Sequence, residues 1–96
     1  MKGASKIDNF EVAAEILKAV AHPIRLQILV ALCKESRHVN DLSEYLGVAQ
    51  SIVSQQLRIL RMKDLVAATR KNGFAYYSIT KPKLRDLIDC LAQCQS

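Results

Sequence analysis

The chain has 96 residues, half of them hydrophobic but only 5% aromatic, which allows one domain with a thin core. Its net charge of +5 falls wholly on residues 50–96, where eight Lys/Arg stand against three acids, while residues 1–49 are balanced. No signal-peptide pattern is present and no apolar run approaches the roughly 18 residues of a membrane span, so a cytoplasmic protein is expected, neither exported nor membrane-embedded. Three cysteines without a secretory context are expected to be reduced thiols. A basic half beside a neutral one suits a polyanion met through one face, or else is a solvated surface.

In chain order, Asp8 stands at an N-cap position and Glu11, three residues on, completes a capping-box-like pattern. The helix that follows puts Phe10, Ala13, Ile16, Leu17 and Val20 on one face. Ala21-His22-Pro23 ends it, because proline disfavours helical geometry in the residue before it. Pro23 is tolerated in the first turn of a second helix that runs to about Lys34, with Leu26, Leu29, Val30 and Cys33 as its buried face. After a polar connection in which His38 reads as a solvated loop residue, Asn40 can cap a short helix, Asp41 to Leu46. Gly47 supplies the left-handed turn, and a fourth helix spans about Gln50 to Met62 with Val53, Leu57 and Leu60 buried. Residues 65–70 then read as a strand, Lys71-Asn72-Gly73 as a hairpin turn, and Phe74 to Ile79 as the return strand. Thr80 caps a last helix carrying Pro82 in its first turn and the stripe Leu84, Leu87, Ile88, Leu91, Cys94.

The third and fourth helices with their glycine turn form a helix-turn-helix, and the outward face of the second of these suits base edges. Glutamine offers a donor and an acceptor together, so Gln50 and Gln55 can pair with adenine. Ser51 and Ser54 are short enough to allow close approach, and Arg58 can reach guanine or a phosphate. The plain alternative is a solvated helix face. At the hairpin tip, Arg70 and Lys71 would meet the flanking backbone or minor groove, or else serve solubility. The apolar stripes of the first and last helices exceed what a small core consumes. Ile16, Leu17, Leu84, Leu87, Ile88 and Leu91 are therefore expected between two copies of the chain, so that a dyad presents two recognition helices to a palindromic double-stranded operator.

Three blocks in order resemble the ArsR/SmtB family of winged-helix repressors, which sense metals, metalloids or sulfur species: Leu17 to Leu29, Leu46 to Leu57, and Gly73 to Ile79. The resemblance covers most of the chain. It implies a mainly α winged helix-turn-helix with a small β-hairpin (helix-turn-helix about 40–62, wing about 65–79, C-terminal dimerisation helix about 81–94), dimeric through the first and last helices. It also implies a DNA-binding repressor released by an inducer. Ala49 stands where the family usually has a serine cap, and Gln56 replaces a common histidine in the DNA-facing helix. The family's thiolate site before the third helix falls on His38 and Asn40, and its last-helix zinc site falls on Lys81 and Lys83, so neither is expected and no metal site is assigned.

Cys90 and Cys94 lie one turn apart on the last helix, with Cys33 on the second. Three readings stand side by side. The three thiolates could close a trigonal As(III) or Sb(III) site. The thiols could register persulfides or oxidants by bridging helices. Or Cys33 and Cys94 simply continue apolar faces. His22 reads as a structural residue. An enzyme is not expected, since two histidines in unrelated settings and no paired acids near Cys90 give no converging nucleophile and base. A protein-binding winged helix is the other rival, disfavoured by the clustered charge and the Gln/Ser face.

Overall fold

The computed structural model describes residues 10–94. The elements are α1 (Phe10–Val20), α2 (Pro23–Lys34), α3 (Val39–Leu46), α4 (Gln50–Met62), β1 (Val66–Lys71), β2 (Phe74–Ile79) and α5 (Pro82–Gln93). The expected order is therefore present, while the Asp8 cap lies outside the described residues. No single helix among the described residues is long and apolar enough to cross a membrane.

The centre of the fold is α2, packed against α1, α3, α4, α5 and β2. Ile28, Leu29, Ala31 and Leu32 are all buried, whereas Leu26, Val30 and Cys33 are only partly so. The expected one-sided stripe is thus corrected: a helix enclosed on several sides has no single apolar face to reveal by its period. The remaining core comes from Ala19 and Val20 of α1, Leu42 of α3, Val53, Leu57 and Leu60 of α4, the hairpin base at Leu65, Val66 and Ile79, and Leu84 and Ile88 of α5.

Both histidines close helix ends. His22 caps α2 by accepting the Ile24 and Arg25 backbone N–H groups at Nδ1, 3.2 and 3.5 Å. His38, not Asn40, caps α3: the Asp41 N–H donates to its Nδ1 at 3.3 Å. Its ring stacks on Phe74 at 4.8 Å and meets Tyr76 edge-on at 5.2 Å, so the supposed loop residue ties the helix-turn-helix to the hairpin. Beside it, Arg37 is buried and exchanges both backbone hydrogen bonds with Tyr77. Its guanidinium is held by Asp41, Glu35, the Ala31 carbonyl and the Tyr45 ring. This neutralises a charge that would be costly to bury alone.

Three turns position the recognition elements. Gly47 is left-handed (φ 68°) and its N–H donates to the Ser43 carbonyl. Asp64 is also left-handed (φ 61°), ending α4 with hydrogen bonds from Asp64 N–H to the Arg61 carbonyl and from Leu65 N–H to the Leu60 carbonyl. Leu65 is consumed in closing that helix, which is why β1 begins at Val66, one residue later than its composition suggests. Asn72 and Gly73 (φ 52° and 83°) make the tight two-residue turn that pairs Lys71 with Phe74. Thr80 does not cap α5; Lys81 stands at the cap without a side-chain capping bond, and the Thr80 hydroxyl and Lys81 ammonium both donate to the Asp64 carbonyl, at 2.8 and 3.3 Å. The exit of β2 is thereby pinned to the start of β1.

Ala49 stands at the N-cap of α4 with no side-chain hydrogen bond. Ala49→Ser should supply one, stabilising the domain by about 1 kcal/mol. The expected rise in melting temperature is a few degrees for a chain of this size, measured by thermal unfolding.

Candidate nucleic-acid interface

The sequence of α4 divides cleanly between two environments. Val53, Leu57 and Leu60 enter the core, and this leaves Gln50, Ser51, Ser54, Gln55, Arg58 and Arg61 exposed on the opposite side. Gln50, Ser51, Ser54, Gln55 and Arg58 were expected outward, and Arg61 extends their row. Gln56 was grouped with them, and its placement is corrected. Three residues from Val53 and four from Leu60, it lies at the core margin, half-buried, with Oε1 enclosed and without a hydrogen-bond partner. The guanidinium groups of Arg58 and Arg61 have no ion-pair or hydrogen-bond partner among the described residues, unlike those of Arg37 and Arg85. Unneutralised guanidinium groups on an amide-and-hydroxyl face suit an anionic, hydrogen-bonding ligand.

The hairpin carries Arg70 and Lys71 exposed at its tip, with the Lys71 ammonium 5.8 Å from the Tyr76 ring centroid. Through Tyr76, Phe74 and His38 the tip is coupled to the start of α3. Sequence reasoning missed His38 and Arg37 in this role, because their partners lie some forty residues away.

The expected subunit-joining residues separate into two groups. Leu84 is 4% exposed and Ile88 fully buried, both within the subunit's own core, so their assignment between subunits is corrected. The face of α5 carrying Leu84 and Ile88 meets α2, and a helix cannot present one residue to both sides. Leu17 (52% exposed), Ile16, Leu87 and Leu91 remain accessible. Ala13, Ile16, Leu17, Leu84 and Leu87 line a mainly apolar groove between α1 and α5, with Lys81 and Lys83 also in its lining.

Nor are the cysteines brought together. The Cys33 thiol donates to the Arg85 carbonyl at 3.6 Å, while Arg85 Nη1 donates to the Cys33 carbonyl at 2.8 Å. Cys33 faces Ile88, Asp89 and Ala92, whereas Cys90 and Cys94 are exposed on the far side of α5, beside Leu87 and Leu91. Among the described residues no group of three His, Cys, Asp or Glu is placed to hold a metal ion, so a three-cysteine metalloid site within one subunit is not built. Burial pushes the Cys33 thiol above its ordinary range, opposed in part by the nearby Arg85 guanidinium. Less thiolate means slower attack. In alkylation at neutral pH followed by mass mapping, Cys90 and Cys94 should be modified first. Cys33 should react last and require more alkaline conditions.

Comparisons with known proteins match this architecture. Residues 22–68, from the cap of α2 into β1, match the family model described as bacterial regulatory protein, arsR family. The transcriptional repressor PagR of Bacillus anthracis is 38% identical over 89 residues, covering 91% of this chain and 88% of that protein. Its crystal structure superposes with a TM-score of 0.79, over 85% and 94% of the two chains. HlyU of Vibrio cholerae has a TM-score of 0.84 at 32% identity, over 92% and 96%. Mb0332 of Mycobacterium bovis, solved as a homodimeric winged helix-turn-helix DNA-binding domain, has a TM-score of 0.79 at 28% identity, over 99% of this chain and 90% of that one. With this likeness running from the first helix to the last, the chain belongs to the ArsR family of bacterial regulatory proteins and is a DNA-binding transcription regulator of the winged helix-turn-helix type.

Proposed function

We propose that the protein is a cytoplasmic, homodimeric repressor that occupies a palindromic operator and leaves it when an inducer acts. The observation carrying this reading is the exposed row Gln50, Ser51, Ser54, Gln55 and Arg58 on one side of α4. Two such rows related by a dyad would meet half-sites one helical turn apart. The open α1–α5 groove and the homodimeric Mb0332 domain support pairing through Leu17, Ile16, Leu87 and Leu91. The proposed role is binding without catalysis.

For the inducer, Cys90 and Cys94 support a thiol-based reading. They are exposed, one turn apart, and on the same face of α5 as Leu87 and Leu91. Persulfide, oxidant or arsenite chemistry there would alter the surface on which subunits join, whereas Cys33 is engaged with Arg85.

The test is selection of duplexes from a random library by the wild-type protein, then footprinting. Two inverted half-sites about one turn apart are expected, and Gln55→Ala should change the preferred base at one position in each. A single unrepeated site would sink the dimeric reading. Release of the selected duplex by persulfide, oxidant, arsenite and zinc, compared between wild type and a Cys90→Ser/Cys94→Ser variant, identifies the inducer. Unchanged release from the double variant would remove these thiols from the mechanism.

A further inference from the structure

Between the C-terminal half of α4 and β2 lies an open cleft of about 480 Å³, lined by Ser54, Arg58, Arg61, Met62 and Tyr77. Ser54, Arg58 and Arg61 succeed one another at spacings of four and three, so they form one row along the helix. That row continues the base-reading face toward the wing. The wall holds two cations and no acid, and neither guanidinium has a partner among the described residues. The opposite wall is fixed: Tyr77 is held in register through both backbone hydrogen bonds to Arg37, at 3.2 and 2.8 Å, and by pairing with Ala68. Its backbone therefore stands at a set distance from the helix.

We propose that this cleft is a backbone phosphate site, in which Arg58 and Arg61 clasp a phosphodiester of the strand passing between recognition helix and wing, with the Tyr77 hydroxyl completing the contact. The inference rests on the DNA-binding reading above and adds to it a division of labour along one helix. Gln50, Ser51 and Gln55 read bases. Arg58, Arg61 and Tyr77 set the depth and register at which they do so, since phosphate contacts position a protein without carrying sequence information. Guanidinium is the better group here because its planar fork matches two phosphate oxygens at once.

The experiment measures binding of wild type, Arg61→Ala, Arg61→Lys, Tyr77→Phe and Gln55→Ala across a salt series. Two probes serve: a mixed-sequence 30-base-pair duplex and a duplex selected from a random library. Arg61→Ala should bind both about tenfold more weakly, and the slope of log affinity against log salt should become shallower by about one per subunit. Arg61→Lys should keep the slope, and Tyr77→Phe should weaken both probes alike without altering it. Gln55→Ala should weaken the selected duplex far more than the mixed one. Circular dichroism and thermal melts check folding; Arg61 is exposed, so its variants should melt with wild type. If Arg61→Ala leaves the slope unchanged, or alters preference at one base pair, the phosphate assignment is overturned while the regulator reading stands. If wild type itself shows no duplex preference over competitor, that reading fails together with this one.

Discussion

Leu87→Asp is expected to yield a folded monomer that binds its operator 10²- to 10⁴-fold more weakly than wild type. Leu87 is only partly buried and lines the apolar groove between α1 and α5, so a carboxylate there remains solvated in the isolated subunit. At a subunit junction it would be desolvated among apolar side chains, a cost that Lys81 and Lys83 of the same groove offset only in part, which opposes association. Separating the subunits removes the advantage of holding two half-sites at once, and linked binding commonly contributes 10²–10⁴ in affinity. Sedimentation and a binding titration check both halves of the expectation. Leu17→Asp should behave in the same way, since Leu17 borders the same groove and is half exposed. Ile88→Asp should not: Ile88 has no exposed surface, and a charge there should unfold the subunit itself. A folded Leu87→Asp dimer with full affinity would place the interface elsewhere.

Ile28→Ala should be among the most damaging core truncations, lowering stability by about 2–5 kcal/mol. Ile28 is fully enclosed in α2, the helix against which five other elements pack, so the void cannot easily be filled by movement of one neighbour. Small domains hold only about 5–15 kcal/mol in total, so a large share would vanish. The melting temperature should fall by at least ~10 °C, read by calorimetry or circular dichroism. Duplex affinity per folded molecule should be unchanged, because Ile28 touches none of the exposed row of α4. By contrast, Leu26→Ala, at a position only partly buried, should cost much less. A larger loss at Leu26 than at Ile28 would mean that α2 buries the single stripe Leu26, Leu29, Val30 and Cys33 after all.

Much of the site was legible in the chain because its cues are local. The spacing of Val53, Leu57 and Leu60 orients α4, and whatever is not on that stripe must face out. Gly47 and the Asn72-Gly73 pair mark turns that other residues adopt only with strain. These are properties of neighbours within a few residues, so composition and period reveal them. Gln56 shows where the rule blurs: a residue beside the stripe is assigned to one side or the other only by what packs above it.

Tertiary structure alone decided the rest, for one physical reason: burial belongs to a pair of surfaces, and the second surface is remote in sequence. The stripe of α5 announced apolar residues but not which half of them α2 would claim, so Leu84 and Ile88 went inside while Leu87 and Leu91 stayed accessible. His38 became an aromatic anchor as well as a cap because Phe74 and Tyr76 of β2 reach its ring. Cys33 was drawn to Arg85 and away from Cys90 and Cys94 by the angle at which α5 lies on α2. Helices, turns and a nucleic-acid-facing row follow from the order of residues; partition of each apolar face between core and partner follows from docking.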